Sequence, residues 1–299
     1  TSRAETCLLR SFAASSTAVS LHNSASAAGR CGVLPVMASA GPNRWCIAVP
    51  AVKLPTAWVK VRRVMVPYNA PQPRFMKAIV RRRYGPPDFL TCEEIEQPPL
   101  GDDQVLLQVR TASVNPRDWH FTTGEPYFIR MMFGLREPKD IRLGTDVAGR
   151  VEGIGRNVTQ FKPGDDVFGW CQGAFAEYAC AGAKALAAKP ESVTFEQAAT
   201  VATAGLTALQ GLRNKGRIQS GQTVLINGAA GGIGTFAVQI ATFFGAKVTG
   251  VCSTRNLDLL RSIGAAEVID YTQQDFTRRG QRYDLVLDCV GNHSLLSCR

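Results

Sequence analysis

The chain has 299 residues, 45% of them hydrophobic and 19% charged, which is enough for one large domain or two ordinary ones with packed cores. Its net charge of +10 invites a nucleic-acid reading. Residues 1–75, however, hold nine of the 34 basic side chains and one of the 24 acids, Glu5, leaving 25 basic against 23 acidic in residues 76–299. A body so balanced has no net field to attract a polyanion, so nucleic acid is not an expected partner. No stretch nears the roughly 18 uncharged apolar residues of a membrane-spanning helix, so no such helix and no membrane partner are expected.

Residues 1–75 are rich in Ala, Ser, Arg and Pro, with seven of the 16 prolines and no sustained period. An Arg- and Ser-rich, acid-poor leader is what an organelle transit peptide offers. The other reading, which we favour, is upstream sequence translated by mistake, because the chain opens on Thr1 and Met76 begins a strand. The expected compartment is the cytoplasm, or an organelle if the leader is real. Either way, residues 1–75 form a disordered basic leader outside the fold.

From Met76 the pattern changes. Lys77-Ala78-Ile79-Val80 reads as a strand that ends at the Gly85-Pro86-Pro87 turn. Val105–Val114, Val147–Ile154, Val167–Gly169 and Phe175–Cys180 follow as strands, punctuated by Gly and Pro-Gly turns, and imply a β-rich unit over 76–198. Between them, Trp119–Arg142 reads as an unusually apolar loop, either a lid or a short helix packed on its neighbour. Near Thr194 the rhythm switches: Thr194 and Gln197 form a capping box for a helix to about Arg213. Strands at 223–227, 247–251, 267–270 and 284–288 then alternate with helices at 236–244 and 256–263. That alternation predicts a doubly wound parallel sheet, an α/β domain over 199–299.

The strongest chemical signal is Val224-Leu225-Ile226-Asn227-Gly228-Ala229-Ala230-Gly231-Gly232-Ile233-Gly234, a glycine-rich turn between a buried strand and a helix. Such a turn binds a dinucleotide. Gly228 permits the tight turn, Gly231 and Gly232 open the backbone to a pyrophosphate, Gly234 allows helix–sheet packing, and the helix N-terminus adds positive potential. Ala230 and Ile233 complete the cradle. At the end of the next strand, where NAD-specific folds keep an acid, stand Ser253, Thr254 and Arg255. Hydroxyls and a guanidinium suit a 2′-phosphate, so the expected cofactor is NADPH.

A β-rich unit followed by this nucleotide-binding pattern resembles the medium-chain dehydrogenase/reductase superfamily, in its zinc-free quinone oxidoreductase-like branch. The resemblance covers 76–292 and rests on residues 112–118, 144–149, 173–178, 205–208, the glycine turn and 268–271. It implies a GroES-like catalytic domain joined to a Rossmann domain, and NADPH-dependent reduction of quinones or α,β-unsaturated carbonyls by hydride transfer. The alternatives are a non-catalytic NADPH-binding protein of the same fold, or an alcohol dehydrogenase or enoyl reductase of the same superfamily.

Resemblance places Asn115 at the site floor and Thr207 by the nicotinamide end, with Tyr271 neighbouring the 2′-phosphate. For each, a turn or packing role competes. Tyr127 is the candidate proton donor, with His120 its rival. Asp118 reads as a cap after Pro116, Glu177 and Tyr178 as structural, and His293 as outside any ordered site.

Where zinc relatives carry Cys and His-Glu, this chain has Asn115 and Thr145-Asp146, and no CxxC pair stands among Cys92, Cys171, Cys180, Cys252, Cys289 and Cys298. We therefore expect no metal site and reduced, unpaired thiols. The sequence stops at Arg299, where the fourth or fifth strand of a six-strand fold ends. The expectation is an incomplete nucleotide domain that is poorly stable alone and a homodimer only at full length.

Overall fold

The computed structural model describes residues 74–294; the readings of the leader up to residue 73 and of Cys298 lie outside them. Three sheets organise the chain. A hairpin of β1 (Phe75–Arg81) and β2 (Leu90–Glu96) begins it, fully in register from Phe75↔Glu96 to Arg81↔Leu90. An antiparallel sheet follows, made of β3 (Gln104–Ser113), β4 (Asp146–Ile154), β5 (Asp166–Trp170), β6 (Tyr178–Gly182) and β7 (Leu186–Ala188) in the order β6-β3-β4-β5-β7. Its inward-facing Val105, Leu107, Val147, Val151 and Val167 bury one core. β1 is stitched to this unit by Ile79 N–H donating to the Phe175 carbonyl (2.8 Å) and Arg81 N–H to the Ile141 carbonyl (2.7 Å).

The third sheet is parallel: β8 (Thr223–Asn227), β9 (Lys247–Cys252), β10 (Glu267–Asp270) and β11 (Leu285–Asp288), in the order β10-β9-β8-β11. That is the 3-2-1-4 half of a doubly wound fold, with the topological switch point between β8 and β11. β8 is paired on both edges and its Val224, Leu225 and Ile226 are fully buried, so its sequence shows no alternation.

Several boundaries depart from the sequence reading. β2 and β7 were not foreseen, since Leu90–Glu96 carries three glutamates and Leu186–Ala188 is only three residues long. The segment from Trp119 to Arg142, read as either a lid or a short helix packed on its neighbour, takes the second form in part. It forms α1 (Pro116–Thr123) and α2 (Phe128–Phe133), the latter seated by Ile129 against Phe121 and Leu143.

The helix expected from Thr194 to Arg213 starts with the anticipated capping box, Thr194 Oγ1 and Gln197 bonding each other's backbone. It then runs as α3 (Phe195–Ala199), a π segment (Val201–Gly205), α4 (Leu206–Leu209) and a second π segment (Gln210–Lys215). The helix expected at 236–244 instead begins at Gly232, as α5 (Gly232–Phe243), directly off the glycine turn. A 3₁₀ turn, Thr254–Asn256, precedes α6 (Leu257–Ser262).

A four-member stack fixes α2. The Arg130 guanidinium lies 4.8 Å from the ring centroids of both Tyr84 and Tyr127, and Arg81 covers Tyr84 at 5.1 Å. Arg130 also donates to the Gly124 and Thr123 carbonyls at the end of α1, while Tyr84 Oη–H holds the Gly134 carbonyl at 2.9 Å. Clamped at both ends, α2 holds Phe128, Met131 and Met132 outward, all well exposed.

Candidate dinucleotide and acceptor site

The glycine turn leaves β8 with Gly228 at φ 75°, a conformation side chains rarely adopt. A Cβ at Gly234 would stand 2.2 Å from the Gly228 carbonyl oxygen, so the first turn of α5 can lie against β8 only with glycine there. At Gly232 a Cβ would meet nothing within 4 Å, and at Gly231 only the Gly228 oxygen at 3.3 Å. The backbone there faces open space. Gly231 is the N-cap of α5, no side chain caps it, and no acid sits in the first turn. The amides of this turn and the helix dipole, roughly half a positive charge, are left for an anion. Ala230 and Ile233 are half-buried, packed against the core beneath.

Across the switch point, the Asn227 amide donates to Asp288 Oδ1 (3.0 Å) and Asn292 Oδ1 (2.9 Å). Burial works against the charge of Asp288, but the N–H groups of Gly291 and Val290 outweigh it and hold the carboxyl below its usual range. Val290 thereby lies against Gly228 and forms a second wall of the turn. Sequence reasoning missed this wall; the polar Asn227 ending a buried strand was the available signal.

The ends of β9 and β10 set Tyr271 beside the segment that carries Ser253 and Arg255: Asp270 pairs with Cys252, and Tyr271 N–H donates to the Cys252 carbonyl at 3.0 Å. Arg255 is exposed and makes no ion pair among the described residues. Asp270 stands close by. The Thr254 hydroxyl (2.5 Å) and the hydroxyl and N–H of Thr272 hold its carboxyl below the usual range.

The acceptor end is built on β3, β4 and the crossover helix. Asp146, fully buried at the start of β4, accepts from Thr203 N–H (2.8 Å) and Thr203 Oγ1–H (2.5 Å). One turn further on, exposed Thr207 donates its hydroxyl to the Thr203 carbonyl (2.7 Å), which leaves its oxygen lone pairs outward. Ser113 is the cross-strand partner of Asp146 and lies 3.3 Å from the Asn115 amide. Asn115 therefore stands on the same face as Asp146, and its N–H is held by Asp118 Oδ2 at 2.8 Å.

Asp118 is indeed a cap, and an unusual one: it is buried and its Oδ1 has no hydrogen-bond partner. Burial pushes its carboxyl above the usual range; the Asn115 N–H opposes this and the nearby Asp146 charge reinforces it.

The proposed proton donors fare differently. Tyr127, 72% exposed, rides on Arg130 and has no hydrogen bond to Asn115 or Thr207 among the described residues. The His120 ring bonds the Glu125 carbonyl through Nδ1 (2.8 Å), a loop-fastening contact. Glu177 accepts Lys77 N–H, and His293 packs edge-on against Phe276, a packing contact away from the site. Among the described residues no group of three or more His, Cys, Asp or Glu can hold a metal, and all five cysteines are free. Burial drives the Cys171 thiol up to about 12, which removes it as a nucleophile. No helix among them is long and apolar enough to cross a membrane.

Two family models match: the alcohol dehydrogenase GroES-like domain over residues 101–191 and the zinc-binding dehydrogenase over 232–298. Among curated proteins, the trans-enoyl reductase pgmF of Aspergillus terreus is 40% identical over 205 residues, which is 64% of this chain and 56% of that protein. The chloroplastic NADPH-dependent alkenal/one oxidoreductase of Arabidopsis thaliana is 34% identical over 241 residues, 76% of this chain and 61% of its own length. The chain thus spans well under two thirds of both curated relatives. Among solved structures, the quinone oxidoreductase of Coxiella burnetii superposes with a TM-score of 0.66 at 35% identity, covering 73% of this chain and 69% of that one.

Proposed function

Because the chain belongs to the medium-chain dehydrogenase/reductase superfamily, in its quinone oxidoreductase-like branch, we propose that it reduces quinones or α,β-unsaturated carbonyls at the expense of NADPH. The observation that carries the reading is the open backbone at Gly231 and Gly232 on an uncapped helix N-terminus. When bound, NADPH would supply a hydride from the nicotinamide ring to an electron-poor carbon.

The residues present fit that cofactor. The α5 amides would hold the pyrophosphate, and Ser253, Arg255 and Tyr271 the 2′-phosphate. The Asp288-fixed turn would bound the central linker. Asn115, aimed by Asp118, and Thr207 would orient the reacting ring from opposite sides of the cleft, Asn115 through its amide and Thr207 through its free lone pairs. The positions that carry zinc ligands in metal-dependent relatives hold Asn115, Thr145 and Asp146 here. Asp146 is committed to Thr203, so its carboxylate serves as a pin between the two domains.

The test is NADPH oxidation by the full-length protein with quinones and enals in the presence of a metal chelator. Turnover that survives the chelator supports the proposal; primary-alcohol oxidation abolished by the chelator defeats it. A homodimer at full length and a cytoplasmic location, organellar if residues 1–75 act as a leader, belong to the same reading. Sedimentation and fluorescent fusions with and without that segment test them.

A further inference from the structure

One cation on the cleft face has no role in the reading above. Arg117, the second residue of α1, is exposed, and its guanidinium carbon lies 5.0 Å from the Phe121 ring centroid and 5.1 Å from that of Trp170. It makes no ion pair among the described residues.

Sheet register decides which way this group faces. Asp146 pairs directly with Ser113 on one side and with Trp170 on the other. Residues directly opposite in an antiparallel sheet project to the same face, with strands about 4.8 Å apart. The Asp146 carboxylate reaches Thr203 on the crossover helix, and Ser113 meets the Asn115 amide. The Trp170 side chain therefore projects beside the Asn115–Asp146–Thr203 cluster, and Arg117 lies over it. Asp146 is fully buried whereas Trp170 is 36% exposed, so the Trp170 side of the cluster opens to solvent. Two rings hold the guanidinium in place without neutralising it, which leaves its N–H fork available to a planar anion.

We propose that Arg117 is a specificity-determining residue that selects acceptors bearing a carboxylate on the apolar body that carries the reducible bond. The inference rests on the function proposed above and names its substrate class. A carboxylate fits the fork bidentately while the acceptor's apolar part lies along the exposed Trp170. The contact is remote from the reacting carbon and equal in ground and transition states, so its effect falls on KM rather than kcat.

The experiment compares a benzylideneacetone carrying a ring carboxylate with its uncharged parent, using full-length protein and NADPH. We expect kcat/KM to favour the carboxylated acceptor by about tenfold, the size of one charge-assisted hydrogen-bonded pair, mainly through KM and less so as salt rises. In Arg117→Met, which keeps an apolar chain between the rings, the ratio falls to about one. In Arg117→Lys it stays above that of the Met variant. A wild-type ratio of one, or a ratio that Arg117→Met leaves intact, overturns the proposal.

If neither acceptor turns over and quinones and enals also fail, the proposed function falls instead. Calorimetric binding of the carboxylated probe to the NADP⁺-saturated protein then decides the role of Arg117: weaker binding by Arg117→Met supports it, and equal binding by both proteins removes it.

Discussion

Thr203 gives both its backbone N–H and its hydroxyl to the buried carboxylate of Asp146, 57 residues away. The N–H that an α-helix would direct to the fourth preceding carbonyl is thereby taken out of the ladder, and the backbone around it widens into the π segment Val201–Gly205. One carboxylate thus fixes the register of the crossover helix and, through it, the position of Thr207. Asp146→Ala should cost about 2 kcal/mol of stability, because it leaves two half-buried donors without an acceptor. Asp146→Asn should cost less, since one acceptor survives. Urea denaturation checks both, and equal stability of all three proteins would reject the pin.

The two ends of the glycine turn separate binding from folding. Gly232→Val meets open space, so the fold should survive while NADPH affinity drops at least about a hundredfold through the space the pyrophosphate needs. Gly234→Val drives a side chain into the Gly228 carbonyl and should lower stability as well as binding. Calorimetry with NADPH and thermal melts distinguish the pair, and intact binding by Gly232→Val would detach the turn from the cofactor.

Arg255→Glu should raise the KM for NADPH at least about tenfold while changing that for NADH by less than about twofold. The new carboxylate repels only the cofactor that carries a 2′-phosphate. Parallel changes for both cofactors would take Arg255 out of the phosphate site.

Asp118 yields a pH signature of unusual sign. Its folded carboxyl lies above the unfolded value, so the folded state holds the proton more tightly and stability falls as pH rises from the ordinary aspartate range through the raised one. Asp118→Asn keeps an acceptor for Asn115 N–H and removes the buried charge. The variant should therefore gain stability relative to wild type as pH climbs through that window, in urea melts from about pH 3.5 to 7. A difference that stays constant with pH would show that Asp118 does not titrate there.

Short apolar stretches between turn signals were legible from the sequence: β8 and β10 fall where their patterns place them, and the glycine turn sits between strand and helix. What escaped was set by distant partners. β2 forms despite Glu93, Glu94 and Glu96 because β1 supplies its backbone bonds. α5 begins four residues before Phe236 because glycines that look like loop enter its first turn. Arg255 and Tyr271 were chosen from their place after strand ends, and the structure puts them just past β9 and β10. Thr203 and Trp170 were not, since only the register of β4 with its neighbours reveals what faces Asp146. Tyr127 was chosen for its chemistry, and the structure spends its ring on Arg130.

The alternating column of Arg81, Tyr84, Arg130 and Tyr127 also keeps apolar side chains in the open. By bracing α2 at both ends, it denies Met131 and Met132 the collapse that would hide them. A permanently oily shoulder remains, one that mild heating cannot tuck away. Self-association in concentrated samples should therefore begin at this shoulder while the rest of the fold is still intact.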